Sequence, residues 1–268
     1  MALTSYQLDI LRRLAQRRKQ QGVSYVAGGV ALNKLLGASR VSRDIDLFHD
    51  TTEALAATWE ADRRCLEDTG YSVRVVREAS SYVEASVHSG TDDTLIEWLR
   101  DSAFRFFPLI EDEILGLTLH PFDLATNKIL ALAGRLEPRD WIDVLECHRS
   151  LQPLGYLAWA ACGKDPGMNP DMIMADAARL HYAQPEIDSL EFDGTPPSCA
   201  ELSREWKKAV ASARAIVDSL PEEHLGECVL DAEGKLFAAS ADRLGDDLDA
   251  DRIRFHKGSI GGAWPRIV

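Results

Sequence analysis

Val26-Ala27-Gly28-Gly29-Val30-Ala31-Leu32 and, a few residues on, Arg40-Val41-Ser42-Arg43-Asp44-Ile45-Asp46-Leu47-Phe48 are the stretches on which the fold turns. Val23 to Ala27 reads as a buried strand stopped by two glycines, Val30 to Leu36 as a short helix, and Asp44 to Phe48 as a second strand. Side chains alternate along a strand, so Asp44 and Asp46 share one face while Ile45 and Leu47 point into a core. Carboxylates roughly 7 Å apart along one strand repel each other unless a cation lies between them. Hard divalent metals, which take oxygen ligands, suit that position. Two glycines at a strand-to-helix turn let the backbone approach a triphosphate and aim N–H groups at its oxygens. Either feature alone is weak, since glycine turns and acidic strands are common. Both together, with Ser42 two positions before the first Asp, are far more specific.

Working outward, Thr52 to Thr69 predicts a helix capped by Thr51 or Thr52. Tyr71 to Arg77, Tyr82 to His88 and Thr94 to Leu99 are β-rich runs separated by turn residues, an antiparallel meander, and Ile114 to Leu119 adds a strand. Helices follow. Pro121 opens one reaching about Ala133 and Pro138 another reaching about Arg149, joined by Gly134 to Glu137. Beyond Leu151 the clearest helix is Cys199 to Leu220, and Ala-Glu-Gly between Cys228-Val-Leu and Lys235-Leu-Phe predicts a hairpin. A soft boundary falls between 120 and 150, and the expected domains are 1–120 and 121–268.

The 268 residues are 46% hydrophobic and 27% charged, enough for one large or two modest cores. No apolar run is long enough to span a membrane, and the start turns basic where a signal peptide needs its apolar centre. Five scattered cysteines without a C-x-x-C fit a reducing cytoplasm. The net charge of −13 argues against non-specific coating of nucleic acid. Residues 1–50 nevertheless carry eight Lys or Arg against four Asp. Arg12, Arg13, Arg17, Arg18 and Lys19 are therefore either the first surface an RNA would meet or simply the wet face of an amphipathic helix.

The common phosphate-loop, serine-hydrolase and zinc-protease spacings are absent. The acidic run Asp246, Asp247, Asp249, Asp251 lacks the glycine and the closing glutamate of a calcium loop and reads as a solvated turn. Gly258 to Gly262 reads as a flexible C-terminal segment.

With its diglycine and R-x-S-x-D-I-D-L-F motif, the chain resembles the nucleotidyltransferases of the DNA polymerase β superfamily, and within it the AbiEii/AbiGii-type toxins of type IV toxin–antitoxin systems. His120-Pro121-Phe122-Asp123-Leu124-Ala125-Thr126-Asn127-Lys128-Ile129-Leu130-Ala131-Leu132, then Arg135 and Arg139-Asp140-Trp141-Ile142-Asp143, resembles that group's lysine-bearing helix and R-D-x-x-D motif. The likeness covers roughly residues 20 to 150. It implies an α+β fold: a polymerase β-like mixed sheet with helices, followed by a mainly helical C-terminal domain.

The resemblance further implies that Asp44 and Asp46 bind two magnesium ions and that Gly28, Gly29, Ser42 and Arg43 hold the phosphates of a nucleoside triphosphate. Lys128 would contact the nucleotide, and Asp143, or else Asp140, would be the later motif's acid. A third carboxylate is expected from a central strand. Glu97, flanked by apolar residues, is a better candidate than Glu84, because a lone acid there is costly unless paired or metal-bound. The implied reaction moves a nucleoside monophosphate to a hydroxyl, with RNA, as at a tRNA 3′ end, as acceptor and an antitoxin as partner. Transfer to an aminoglycoside or a protein, or a non-catalytic binding role on the same fold, stays open.

Overall fold

The computed structural model describes residues 3–265, which divide into two compact units, the first made of the residues up to Ala103 with Leu109–His120 and the second of Phe104–Pro108 with the residues from Pro121 onward. The first unit runs through α1 (Ser5–Gln21), β1 (Tyr25–Ala27), α2 (Gly28–Leu36), β2 (Asp44–His49), α3 (Thr52–Asp68), β3 (Ser72–Ala79), β4 (Tyr82–Ser89) and β5 (Asp92–Arg100). After β6 (Phe104–Arg105), which belongs to the second unit, it closes with β7 (Ile110–Asp112) and β8 (Gly116–Thr118). Seven strands form one mixed sheet in the order β3-β4-β5-β2-β1-β8-β7. The β3-β4-β5 meander is antiparallel, as its turn residues predict, and β5 then pairs parallel with β2.

Alternation along β2 separates two faces. Ile45, Leu47 and His49 are buried, whereas Asp44, Asp46 and Phe48 are half-buried. The apolar face packs under α1 and α3, where Trp98 of β5 meets Trp59 at 4.7 Å between ring centroids and donates its indole N–H to Asp62 at 3.0 Å. Helix α3 starts where its cap predicts, with the Thr51 side chain accepting from the Ala54 N–H. Helix α2 starts two residues earlier than expected, at Gly28, whose φ of +64° lets the strand turn directly into the helix.

His49 is fully buried at the end of β2, its Nδ1 3.2 Å from the Leu99 carbonyl. Burial lowers its pKa to about 4, and the Arg18 charge adds to the effect. A histidine with a depressed folded pKa stabilises the fold fully above its unfolded value near 6.5, and that stability is lost as pH falls towards 4, an effect of about 3 kcal/mol. Asp62, whose carboxyl burial pushes up, works in the opposite sense, so the informative comparison is with a variant. Urea midpoints measured from pH 7 to pH 4 should fall less steeply in His49→Asn than in the wild type; identical slopes would remove His49 from the acid response.

The second unit contains α4 (Pro121–Arg135), α5 (Pro138–Ser150), α6 (Leu154–Ala161), α7 (Pro170–Arg179), α8 (Gln184–Asp188), α9 (Cys199–Ser219), β9 (Cys228–Leu230), α10 (Ala241–Asp249), β10 (Arg254–His256) and β11 (Ser259–Ile260). Tyr156, Trp159, Ile216, Leu220 and Val229 lie in one of its cores. Buried Asp123 ties in the 104–108 segment by accepting the Phe106 and Phe107 N–H groups at 2.8 and 3.0 Å.

The expected small hairpin around Ala-Glu-Gly is present: Leu230 bridges Leu236, and the Asp231 and Phe237 N–H groups donate to the Lys235 and Val229 carbonyls at 2.8 and 3.1 Å, while β9 also pairs with β10. Two expectations change here. The glycine-rich segment expected to be flexible is ordered: β11 pairs with β6, and Gly258 lies where a Cβ would collide with the Phe104 ring. The acidic run expected as a turn is mostly helix α10, and Asp247 is buried between Arg243 and Arg252 at 2.9 and 2.7 Å. All five cysteines are free thiols. Among the described residues no helix is long and apolar enough to cross a membrane.

Candidate active site

The polar face of β2 presents Asp44 and Asp46, and the neighbouring strands extend it. Ala27 of β1 lies opposite Asp46, Asp46 opposite Glu97 of β5, Glu97 opposite Glu84 of β4, and Glu84 opposite Arg77 of β3. Three carboxylates thus sit side by side across adjacent strands. The Tyr82 hydroxyl donates to Glu84 at 3.3 Å and also bonds Glu97. Burial, with the charges of Glu97 and Glu84, pushes that phenol well above its ordinary value, so it stays a proton donor. Sequence reasoning preferred Glu97 to Glu84, but the β4–β5 hairpin puts them together.

Beside Asp46 the chain turns from β1 into α2. A Cβ built on Gly28 would overlap the Asp46 carboxylate, and one on Gly29 would come within 2.7 Å of Arg40 Nη2 and 2.8 Å of Ser42 Oγ. Only glycine leaves the backbone open to these groups. The N-cap residue of α2, Ala27, has no side chain that can accept from the leading N–H groups of the helix, and the start of a helix favours negative charge.

Ser42 is held in place by backbone contacts that the motif alone does not show. Gln7 of α1 donates to the carbonyls of Ser42 and Arg43 at 2.9 and 3.1 Å, Asn33 of α2 donates to the Arg40 carbonyl at 3.0 Å, and Thr94 of β5 donates to the Arg43 carbonyl at 2.9 Å. Three elements therefore fix the loop that precedes Asp44.

Gly28→Ala should be among the more damaging small substitutions here, because it adds both a strained positive φ and a collision with Asp46. Nucleotide binding should weaken at least roughly tenfold with only a modest loss of stability. Calorimetric titration with a nucleoside triphosphate, alongside thermal melting, checks both; unchanged binding would mean that the turn does not face the ligand.

The residues fit an oxygen-liganded divalent metal in part. Asp44 and Asp46 supply hard oxygen donors beside a glycine cradle. Among the described residues, however, no group of three or more His, Cys, Asp or Glu side chains converges as a metal site. Glu97 lies next to Asp46 in register but is not part of an assembled three-carboxylate set.

In the second unit Lys128 of α4 is nearly buried, its ammonium 2.9 Å from Asp140 and 3.0 Å from Asp143 of α5. Arg135 also grips Asp140, at 2.6 and 3.0 Å. Burial raises the Asp140 carboxyl, yet the Arg135 hydrogen bond and the Lys128 charge hold it below the ordinary carboxylate value. Both candidate acids, Asp140 and Asp143, bind the same lysine.

The N-terminal basic segment differs from a free RNA-facing surface. Arg18 is buried and donates to the Leu115 carbonyl at 2.6 Å, and burial lowers its pKa to about 10. Arg17 donates to the Ala61 carbonyl at 2.6 Å, Arg13 pairs with Asp9 at 2.9 Å over the Tyr71 ring, and Lys19 lies 3.6 Å from Glu111. Arg17 and Arg18 thus serve internal partners, whereas Arg12, Arg13 and Lys19 stay exposed, the last two in surface ion pairs.

The sequence profile described as "Nucleotidyl transferase AbiEii toxin, Type IV TA system" matches residues 9–162. Among curated proteins none matches the chain in sequence. MenT4, a nucleotidyltransferase toxin from Mycobacterium tuberculosis, has a similar structure at TM-score 0.54 and 17% identity, over 82% of this chain and 86% of that one. JHP933 from Helicobacter pylori is similar at TM-score 0.51 and 14% identity, over 81% of this chain and 95% of that one. The structures share the mixed-sheet nucleotidyltransferase fold, and the profile match spans more than half of this sequence: the chain belongs to the AbiEii nucleotidyltransferase toxin family of type IV toxin–antitoxin systems.

Proposed function

We propose that the Asp44–Asp46 face transfers a nucleoside monophosphate from a nucleoside triphosphate to a hydroxyl of RNA, most naturally a tRNA 3′ end, and that growth arrest follows until an antitoxin intervenes. The observation that carries this reading is the glycine turn set against Asp46: because neither Gly28 nor Gly29 has a side chain, the Asp46 carboxylate, Arg40 and Ser42 lie directly against the backbone that opens α2. In the reaction the acceptor oxygen bonds the α-phosphorus, the bond to the bridging oxygen breaks, and pyrophosphate and the hydroxyl proton are released. Gly28, Gly29 and Ser42 hold the phosphates, with Arg43 at the loop's exposed edge. Asp44 and Asp46 would hold magnesium, which, when bound, supplies charge neutralisation and acidifies the attacking hydroxyl. Glu97 flanks Asp46 and is kept in register by the sheet. Its carboxylate shares Tyr82 with Glu84, which supports a positioning role ahead of direct ligation.

The net charge of −13 favours a second acceptor class, a cationic small molecule such as an aminoglycoside. Incubating the protein with magnesium, each labelled nucleoside triphosphate in turn, and a total RNA pool separates the two. The expected result is label on small RNA, abolished by EDTA. Label on an aminoglycoside or a protein instead would replace the acceptor, and label on nothing would favour a binding protein.

A further inference from the structure

A cavity of about 340 Å³ lies in the second unit, between the end of α7, α5 and one face of α9. Its apolar lining comes from Trp141, Leu180, Trp206 and Val210, and Lys207 and Arg214 also line it. Those two cations are exposed, and neither has a hydrogen-bond or ion-pair partner among the described residues. In a chain with 43 acidic residues, two unpaired cations on one concave surface mark a place for an anion.

Spacing narrows the ligand. Lys207 and Arg214 stand seven residues apart on α9, two turns on the same face, or about 10 Å along the helix. A single small anion would be met by one of them; a chain of anionic groups meets both. The cavity is also of the size that takes one nucleotide-sized body against an apolar wall, in the usual range for small ligands of a few hundred Å³. A polyanion with alternating flat apolar units and phosphates matches this arrangement.

We propose that this cavity is a docking subsite for a single-stranded segment of the RNA acceptor, with one nucleoside against the Leu180–Val210 wall and its flanking phosphates on Lys207 and Arg214. The inference rests on RNA being the acceptor. It also adds to what the N-terminal helix offers, where Arg17 and Arg18 are engaged internally.

The test uses the full chain and a fluorescent single-stranded oligoribonucleotide, without nucleoside triphosphate, in anisotropy titrations over a range of salt. Lys207→Glu with Arg214→Glu should weaken binding at least tenfold and reduce the slope of log affinity against log salt by about 1.4, the value for two phosphate contacts on a single strand. Ala211→Phe, an exposed position lining the cavity, keeps both cations but fills the seat, and should also weaken binding; a merely solvated basic face expects no effect from it. Unchanged RNA binding in both variants overturns the proposal, as does an acidic peptide that binds the wild type and not the variants while RNA binding is unmoved. Wild-type protein that labels RNA yet shows no effect of these substitutions refutes the subsite alone, whereas wild-type protein that labels an aminoglycoside and never RNA refutes the acceptor assignment beneath it.

Discussion

Asp46→Asn should lower nucleotidyl transfer by at least roughly a thousandfold, about 4 kcal/mol of transition-state stabilisation, with little change in melting temperature. Asp46 is the carboxylate against which the Gly28 turn closes, and it stands between Ala27 and Glu97 in the sheet. Its side chain lies on the half-buried face of β2, away from the apolar core. The amide keeps the shape and loses the charge, so a structural residue would show the loss in melting and a catalytic one in turnover. Asp44→Asn should behave in the same way. Full activity in either variant would move the site away from β2.

Lys128→Met has the opposite signature. Its ammonium is shared by Asp140 and Asp143, whose side chains have no exposed surface. An intact buried ion pair is weak evidence of stabilisation, but removing one partner strands charge in the interior and costs about 3–5 kcal/mol. For a chain of this size that corresponds to a fall in melting temperature of roughly 10 °C. Adding Asp143→Asn should recover part of the loss, because the two sites are coupled. Melting curves of the two single variants and the double variant check this. A Lys128→Met protein that melts like the wild type but binds nucleotide poorly would contradict this structural role and support the nucleotide contact that the motif implies.

Much of the fold was legible where its signals are local. The period of two in Asp44-Ile45-Asp46-Leu47 determines the faces of β2, Thr51 and the prolines at 121 and 138 mark helix starts, and the glycines mark the turn. Even Glu84 was within reach: the Gly90-Thr91 turn pairs Ser89 with Asp92, and counting back along both strands brings Glu84 opposite Glu97. The unread features depend on distant partners. Arg18 meets a carbonyl 97 residues away and Arg17 one 44 away, so two of the five cations of the basic helix are engaged where the sequence shows no partner. The GSIGG segment looked flexible because its strand partner, Phe104–Arg105, is remote in sequence. Likewise, the ion pairs of Lys128 with Asp140 and Asp143 come from the packing of α5 on α4, which the motif alone does not show.

The central claim, that the β2 face cleaves a nucleoside triphosphate between its α- and β-phosphates and keeps the α-phosphoryl nucleoside for the acceptor, is tested most directly by label position. Parallel reactions of wild-type protein, magnesium and RNA receive the same nucleoside triphosphate labelled at the α- or at the γ-phosphorus. The expected result is α-label on the RNA and γ-label in free pyrophosphate, both lost in Asp46→Asn. Finding γ-label on the acceptor would make the protein a phosphoryl transferase, and α-label on RNA that survives in Asp46→Asn would place the chemistry elsewhere; either result contradicts the account.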